Sequence, residues 1–515
     1  MRKVDFSYPL YLAAYLPIFG LNSALAGTDV QEVDILTVYT TEAQQAYEQN
    51  NLNINQKIKD YINFTNKAFE LSQVNIKLNL VEQYPVDSSI ITVDNQSAKK
   101  ALLDVQQNRV LRDLRARYQA DLVLTFHDIK SAIEASTTCG VTTPKIALYN
   151  KGVFSIQNIY NAYALVNVTD ICSNYNIDPN NLSTAYDVAH ELGHLFGLSH
   201  GLATEKNSFP EYRNTFNNIF QTLKDVDFYG KNIPPLNDIS SVKDAVDAQI
   251  FFAQYPYAFG YASSGSGSIA SIMTYPQDHK FAKRVPYFSN PIIRVCEDGI
   301  ESCSEDKKHF IGGKLSNGLQ ANSAKALNEA APHVAKFCLS DKEQSKTSYT
   351  AFKIIADPSP LAWHPDSMTI EFSNEDSEGL YPWIPSEDSF SFVEDVVRGD
   401  ATKVLKIDNS AQRLAALGIN MTCAMQAGNK YLIKAHVKGL SDGQASLKVY
   451  YETSEGQKTW VNLMNSTVDS LNWTELSAAI ELPNNLTLLH IYIDGADDQN
   501  GFLLSDLDIA EHRSL

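Results

Sequence analysis

Residues 190–200 read His-Glu-Leu-Gly-His-Leu-Phe-Gly-Leu-Ser-His, and no other stretch restricts the fold so tightly. His190 and His194 are four apart, so they share one face if the segment is helical and can then reach one metal ion. Glu191 stands one residue on, where its carboxylate faces a water beside that metal rather than the metal itself. Gly197 fits a left-handed turn that would end the helix at no steric cost. The reversal would bring His200 round as a third imidazole. Three imidazoles and an open fourth position form the donor set of a catalytic Zn²⁺, whereas a structural site is closed by a fourth protein ligand. The five-residue His-Glu-x-x-His pattern alone is expected by chance in about one chain in a hundred of this length; adding Gly197 and His200 makes it roughly one in a hundred thousand.

The surrounding residues predict the helix that this spacing needs. Ser183 and Thr184 are N-cap types, and Asp187 stands three residues after Thr184 as in a capping box. Ala185, Val188, Leu192, Leu195 and Phe196 form an apolar stripe, giving a helix over 183–196.

Far downstream lies Ser271-Ile272-Met273-Thr274-Tyr275-Pro276. Together with residues 190–200 it resembles the metzincin zinc metallopeptidases. In that superfamily a tight turn places a methionine under the zinc histidines, and Met273 is the matching position. Some branches use a tyrosine two residues later as an extra zinc ligand or oxyanion stabiliser. Tyr275 stands at that offset, and a turn tyrosine that only packs beside the site is the alternative.

A chain of 515 residues exceeds one core, so two or three domains are expected. The formal net charge of −18 argues against binding to nucleic acid or to an anionic membrane surface. Residues 351–515 hold 24 acidic against 11 basic side chains. Arg2 and Lys3, an apolar stretch from Leu10 to Leu21 and Ala24-Leu25-Ala26 read as a secretion signal cleaved before Gly27, with an uncleaved tether as the alternative. No later segment is apolar enough to insert stably in a membrane, so a secreted protein is expected. Six cysteines suit an oxidising compartment and allow fifteen pairings. Cys296 with Cys303, Cys139 with Cys172 and Cys338 with Cys423 are the candidate pairs.

Strand-like runs at Asp34–Tyr39, Val74–Leu80 and Ala120–Phe126 alternate with helical ones from Thr41, at Ile54–Leu71 and at Ala98–Tyr118, implying a parallel α/β sheet. Cys139–Thr142 reads as a short edge strand to which a peptide could pair, and Ala162–Val168 as the last strand before the zinc helix. This order resembles the bacterial reprolysin-like branch over about residues 34–338. Ala120–Leu124, Cys139-Gly140, Tyr287–Pro291 and Ala321–Asn328 are matching stretches, but Gly201 follows the third histidine where those enzymes usually carry aspartate. Between His200 and Met273 lies a long insert, with candidate helices at Glu211–Leu223 and Val242–Phe252 and a flexible Ser263–Ser268 run. It would either shape the cleft or elaborate the surface.

Leu339–Thr350 is polar and reads as a linker. Beyond it, strand-like runs at Lys403–Ile407, Lys430–Val437, Ser446–Glu452, Trp473–Glu481, Leu486–Asp494 and Phe502–Ile509 indicate an antiparallel sandwich. Lys430–Lys438, Trp473-Thr-Glu-Leu and Phe502–Ile509 resemble the jelly-roll carbohydrate-binding modules of secreted hydrolases. Trp363, Trp383 and Trp460 are either a sugar-stacking platform or core filling. Asp506 and Asp508 are either ligands of a structural Ca²⁺ or merely solvated.

The expected organisation is a signal peptide over 1–26, a metzincin-like α/β zinc peptidase with a mostly parallel sheet over 27–338, a linker over 339–350 and an all-β jelly roll over 351–515. The expected substrates are proteins or peptides, with glycans as partners of 351–515. The alternative is an extracellular glycan-binding or adhesive protein whose peptidase domain has restricted activity or none.

Overall fold

The computed structural model describes residues 30–88, 101–128 (except 103, 106 and 107), 139–142, 162–168, 183–206, 255–297 (except 265, 266, 280 and 281), 302–335 and 338 of the amino-terminal part. In the carboxy-terminal part it describes 351–355, 367–371, 390–397, 400–407, 416–422, 425, 427–495 and 501–511. The expected signal peptide, the linker, most of the insert, Trp363, Trp383, Cys172 and Cys423 lie outside the described residues.

The amino-terminal part is built on β1 (Gln31–Thr40), which leads into α1 (Thr41–Gln49). Next come α2 (Ile54–Leu71), β2 (Ile76–Val86), α3 (Arg109–Arg117), β3 (Leu122–His127), β4 (Gly140–Thr142), β5 (Tyr163–Asn167) and α4 (Ser183–Leu195). The sheet order is β2-β1-β3-β5-β4, parallel throughout except for the antiparallel β4–β5 pair. Every residue of β3 and β5 is buried, as a central strand covered on both faces requires.

α2 starts where the Asn53 side chain accepts from the Gln56 N–H, and it buries Ile54, Ile58, Tyr61, Ile62, Thr65, Ala68 and Phe69 along one stripe. Phe69 packs edge-on to Phe196 and stacked on Phe288, joining α2 both to the end of α4 and to the Tyr287–Pro291 segment. Truncating such a fully buried ring costs about 3–5 kcal/mol. That segment is fixed again at Ser72, just past α2: Ser72 Oγ accepts from Phe288 N at 2.8 Å, and Ser72 O accepts from Asn290 Nδ2 at 2.9 Å. A closing helix, α5 (Ser323–Val334), returns to the same corner through Asn328, whose Oδ1 accepts from Asn75 N at 2.7 Å.

Two expectations need correction. The run Ala98–Tyr118 is not one helix: residues 101, 102, 104 and 105 are helical, and α3 begins anew after Asn108. The Asn108 side chain accepts from the N–H groups of Val110 and Leu111, and this cap outcompetes helix continuation. Thr184 lies within α4 rather than capping it, and Asp187 bonds Arg284 Nη1 instead of closing a capping box. Of the Ser263–Ser268 run, residues 265 and 266 lie outside the described residues, and Ser263 is buried and accepts from Ile269 N at 2.9 Å.

The carboxy-terminal part is a two-sheet β-sandwich. One sheet contains β6 (Ala351–Ile355), β7 (Ser367–Glu371), β8 (Phe390–Val397), β9 (Asp400–Ile407), β11 (Lys430–Gly439), β14 (Thr474–Glu481) and β16 (Phe502–Glu511). The other runs β10 (Ala416–Asn420), β15 (Leu486–Gly495), β12 (Gly443–Thr453), β13 (Lys458–Val468). All pairs are antiparallel except β6 with β7, which run parallel and therefore need a returning connection rather than a hairpin. The core lies between the sheets, where Ile433, Ala435, Leu504 and Leu507 of the first meet Leu447, Val449, Ile491 and Ile493 of the second.

The two parts touch where α3 lies against the second sheet. Arg117 Nη2 sits 2.9 Å from Glu452 Oε2, Asp113 Oδ1 sits 3.2 Å from the fully buried His490 Nε2, and Ala116, Cys338 and Leu488 pack together. Cys296 and Cys303 form the expected disulfide. Cys139 and Cys338 are each in a disulfide as well, with partners outside the described residues, so the expected pairings Cys139 with Cys172 and Cys338 with Cys423 are not tested. No helix among the described residues is long and apolar enough to cross a membrane.

Asp121 ties the start of β3 to its surroundings. Its carboxyl accepts from Asp34 N at 2.9 Å and Cys338 N at 3.0 Å. Burial pushes this carboxyl up to about 8, against those two donors and the Arg115 charge, which hold it down. Between the ordinary 3.8 and about 8 the folded chain therefore holds a proton that the unfolded chain has released. The resulting stability is present at the acid end of that window and is lost as pH rises through it. Melting curves should show wild type losing stability relative to Asp121→Asn between pH 5 and pH 8. Parallel pH profiles would contradict this.

Candidate metal centre

α4 presents His190 and His194 on one face, and the chain reverses at Gly197, whose φ is +99°. The reversal is closed by Leu198 N donating to Gly193 O at 3.0 Å and Gly197 N to His194 O at 2.9 Å. His200 then returns toward the helix. His194 Nε2 lies 3.1 Å from His190 Nε2 and 3.1 Å from His200 Nε2. Two nitrogens bound at about 2.1 Å to one tetrahedral ion stand about 3.4 Å apart, so the triad has the dimensions of a zinc site. Among the described residues it is the only group of metal-ligating side chains that converges on one point. The Ca²⁺ expectation at Asp506 and Asp508 gains no such support, the Asp506 side chain being outside the described residues.

Each ring is held from behind. His190 Nδ1 pairs with Ile272 O at 2.9 Å, His194 Nδ1 with Leu198 O at 2.8 Å and His200 Nδ1 with Glu205 Oε1 at 2.8 Å. Carbonyl oxygens only accept, so they fix Nδ1–H on His190 and His194 and leave Nε2 free to ligate. Burial, then the neighbouring His200, pushes the His190 ring well below the usual imidazole range, which favours the neutral form a metal needs.

Met273 is fully buried under α4, within a turn in which Thr274 N donates to Ser271 O at 3.0 Å. A Cβ on Gly193 would stand 2.5 Å from Met273 Sδ, so the missing side chain gives the methionine its room beneath the helix. Tyr275 stacks on His190, with centroids 5.4 Å apart, and lies tilted over His200 at 4.7 Å. Burial, then the Glu191 charge, raises its phenol well above the ordinary range, so it stays a hydroxyl.

Glu191 is buried, and its Oε2 has no hydrogen-bond partner. Burial, then the Asp187 charge, pushes its carboxyl well above the usual range. A buried carboxylate oxygen left unpaired is costly, and one beside a donor triad marks a place for a proton-bearing ligand. Glu191 packs against the backbone of Gly140 on β4, where a Cβ would come within 2.4 Å of its Cγ. Among the described residues β4 pairs only with β5, at the end of the sheet order, so the carboxylate rests against the last described strand of the sheet.

The structure thus brings together His190, Glu191, His194, Gly197, His200, Met273 and Tyr275. Sequence reasoning missed Glu205, the clearance at Gly140 and the clearance at Gly193. Only the last left a signal, since glycine inside a helix costs about 1 kcal/mol relative to alanine and so hints at a close neighbour. Replacing Gly140 by alanine should displace the Glu191 carboxylate while leaving the triad intact. A structure of the variant should show the carboxylate moved away from β4 and the three imidazoles in place. An unmoved carboxylate would contradict the placement.

The comparisons agree with this geometry. Residues 55–201 match the reprolysin-like metallo-peptidase family M12B, and residues 369–500 match a carbohydrate-binding domain family. The chain is similar to a peptidyl-Asp metalloendopeptidase of Pseudomonas aeruginosa, 26% identical over 309 residues. That alignment takes in 59% of this chain but only 40% of the relative's length. Among solved structures, a chaperone-substrate complex matches 60% of this chain and 35% of its own at 15% identity and a TM-score of 0.33. The C-terminal family 22 carbohydrate-binding module of Clostridium thermocellum Xyn10B matches 27% of this chain and 99% of its own at 18% identity and a TM-score of 0.21. Nothing about fold or function follows from likenesses that partial. The two family matches suffice: the chain carries a reprolysin-like M12B metallopeptidase domain followed by a carbohydrate-binding domain.

Proposed function

We propose that the chain is an exported zinc metalloendopeptidase of the metzincin type. It is organised as a leader over 1–26, a peptidase domain over 27–338, a linker over 339–350 and a glycan-binding sandwich over 351–515. The observation that carries this reading is the convergence of three imidazoles beside a buried, unpartnered carboxylate that rests against the last described strand of the sheet. His190, His194 and His200 would hold Zn²⁺, which when bound supplies a Lewis acid for the scissile carbonyl and brings the pKa of its water toward about 7. Glu191 takes the proton of the attacking water and delivers it to the leaving amine, a task suited to a carboxyl whose proton affinity burial has raised. An extended peptide pairs with β4, which sets its backbone across Glu191. Tyr275 steadies the developing oxyanion with its retained hydroxyl proton. A purely adhesive protein would give Glu191 no task and no return for the cost of burying it.

The sandwich adds a second surface. On the outer face of its four-stranded sheet, Trp460 is 59% exposed and lies between Tyr450 and Tyr492, with centroids 5.0 Å and 4.8 Å away. Lys448 and Asp494 pair beside them at 2.7 Å. Rings with charged neighbours suit sugar faces and hydroxyls, so we assign glycan contact to this strip and direct the peptidase to glycoproteins.

Purified mature chain should cut unfolded casein. Glu191→Gln should retain one equivalent of zinc and lose at least about a hundredfold in rate. Mass spectrometry of the cut sites gives the specificity, and bonds at aspartate come first because of the relative's name. If both forms bind zinc and cut equally, Glu191 is not the base. Trp460→Ala should weaken retention on a glycan array about thirtyfold, as truncating an anchoring tryptophan does. Unchanged retention would move the glycan site elsewhere.

A further inference from the structure

The three ring anchors are not alike. His190 and His194 each give Nδ1–H to a backbone carbonyl, whereas the partner of His200 is a side chain, Glu205. One oxygen of that carboxyl, Oε1, collects His200 Nδ1 at 2.8 Å, the His200 backbone N–H at 3.0 Å and Ser199 Oγ at 2.7 Å. Glu205 is only 3% exposed and lies among the helical residues 202–206, close after the third histidine. Placing a carboxylate there costs desolvation, and its contacts with Ser199 and His200 offset that cost.

The position directly after His200 cannot do this work. Gly201 N donates to Met273 O at 2.9 Å, and a Cβ on Gly201 would stand 3.2 Å from Thr274 Cγ2. The backbone there is pressed on the methionine turn and leaves little room for a side chain. The next turn supplies the carboxylate instead.

We propose that Glu205 is the positioning carboxylate of the triad. It holds His200 in the Nδ1–H tautomer with Nε2 aimed at the common point. The proposal rests on the metal reading of the triad and extends it. A partner behind a ligating histidine fixes the tautomer and the orientation of its ring. His200 needs this most, because it sits beyond the chain reversal, whereas His190 and His194 are carried by α4.

The test uses the full chain, wild type and Glu205→Gln, which keeps the volume and removes the charge. Zinc affinity is measured by competition with a chromophoric chelator. The His200 ring nitrogens are followed by ¹⁵N NMR of histidine-labelled, metal-free protein, assigned with His200→Gln. Wild type should show His200 as a single Nδ1–H tautomer. In Glu205→Gln the His200 nitrogens should move toward the averaged shifts of a mixture, zinc affinity should fall tenfold to a hundredfold, and metal-free melting should stay within a few degrees.

Unchanged His200 shifts with zinc affinity within twofold would overturn the proposal. So would a weakened affinity that merely tracks a collapsed melting temperature with unaltered His200 shifts. If wild type binds no zinc, the metal reading of the triad fails, while the metal-free nitrogen shifts still decide whether Glu205 positions the ring.

Discussion

Three imidazoles converge on one point here because each is gripped on its far side. Two grips are backbone carbonyls, at Ile272 and Leu198, and the third is the Glu205 carboxyl. The Ile272 contact is the longest-range of these, joining residues 82 positions apart and fastening the methionine turn to α4. Gly193 makes that contact possible by leaving room for Met273 Sδ beneath the helix. Helix, reversal and turn are thus one unit, and each loses its orientation without the others.

The sheet explains why Glu191 stands where it does. β5 leads toward α4, β4 adds antiparallel to β5, and the missing side chain of Gly140 admits the carboxylate against the strand. Glu191 therefore meets the backbone of β4, one residue along α4 from the first histidine. The same buried surroundings that raise its proton affinity also keep His190 neutral and the Tyr275 phenol protonated. At the other end of the molecule α3 abuts the sandwich through Arg117 and Asp113, so the aromatic strip around Trp460 belongs to a sheet already fastened to the peptidase part.

Local chemistry was legible in the sequence wherever a spacing or a period carried it. The triad follows from i, i+4 and a glycine reversal, α2 was read to the residue, and six sandwich strands lie where apolar alternation puts them. β13 was missed because Lys458–Val468 lies on an exposed edge of its sheet, where alternation selects little. The break at Asn108 was missed because an asparagine cap inside an apolar-periodic run interrupts the helix without interrupting the pattern. Glu205 and Gly140 could not be read at all. Their roles come from which atoms tertiary packing brings within reach, and one glutamate or glycine in a chain of 515 residues announces nothing by itself.

The most direct test of the metal centre is zinc K-edge X-ray absorption of the full chain loaded with one equivalent of Zn²⁺. Three imidazole nitrogens at about 2.0–2.1 Å and one further light-atom ligand, reduced to two imidazoles in His200→Gln, is the result this account predicts. A sulfur shell near 2.3 Å, or an imidazole count that His200→Gln leaves untouched, would contradict it.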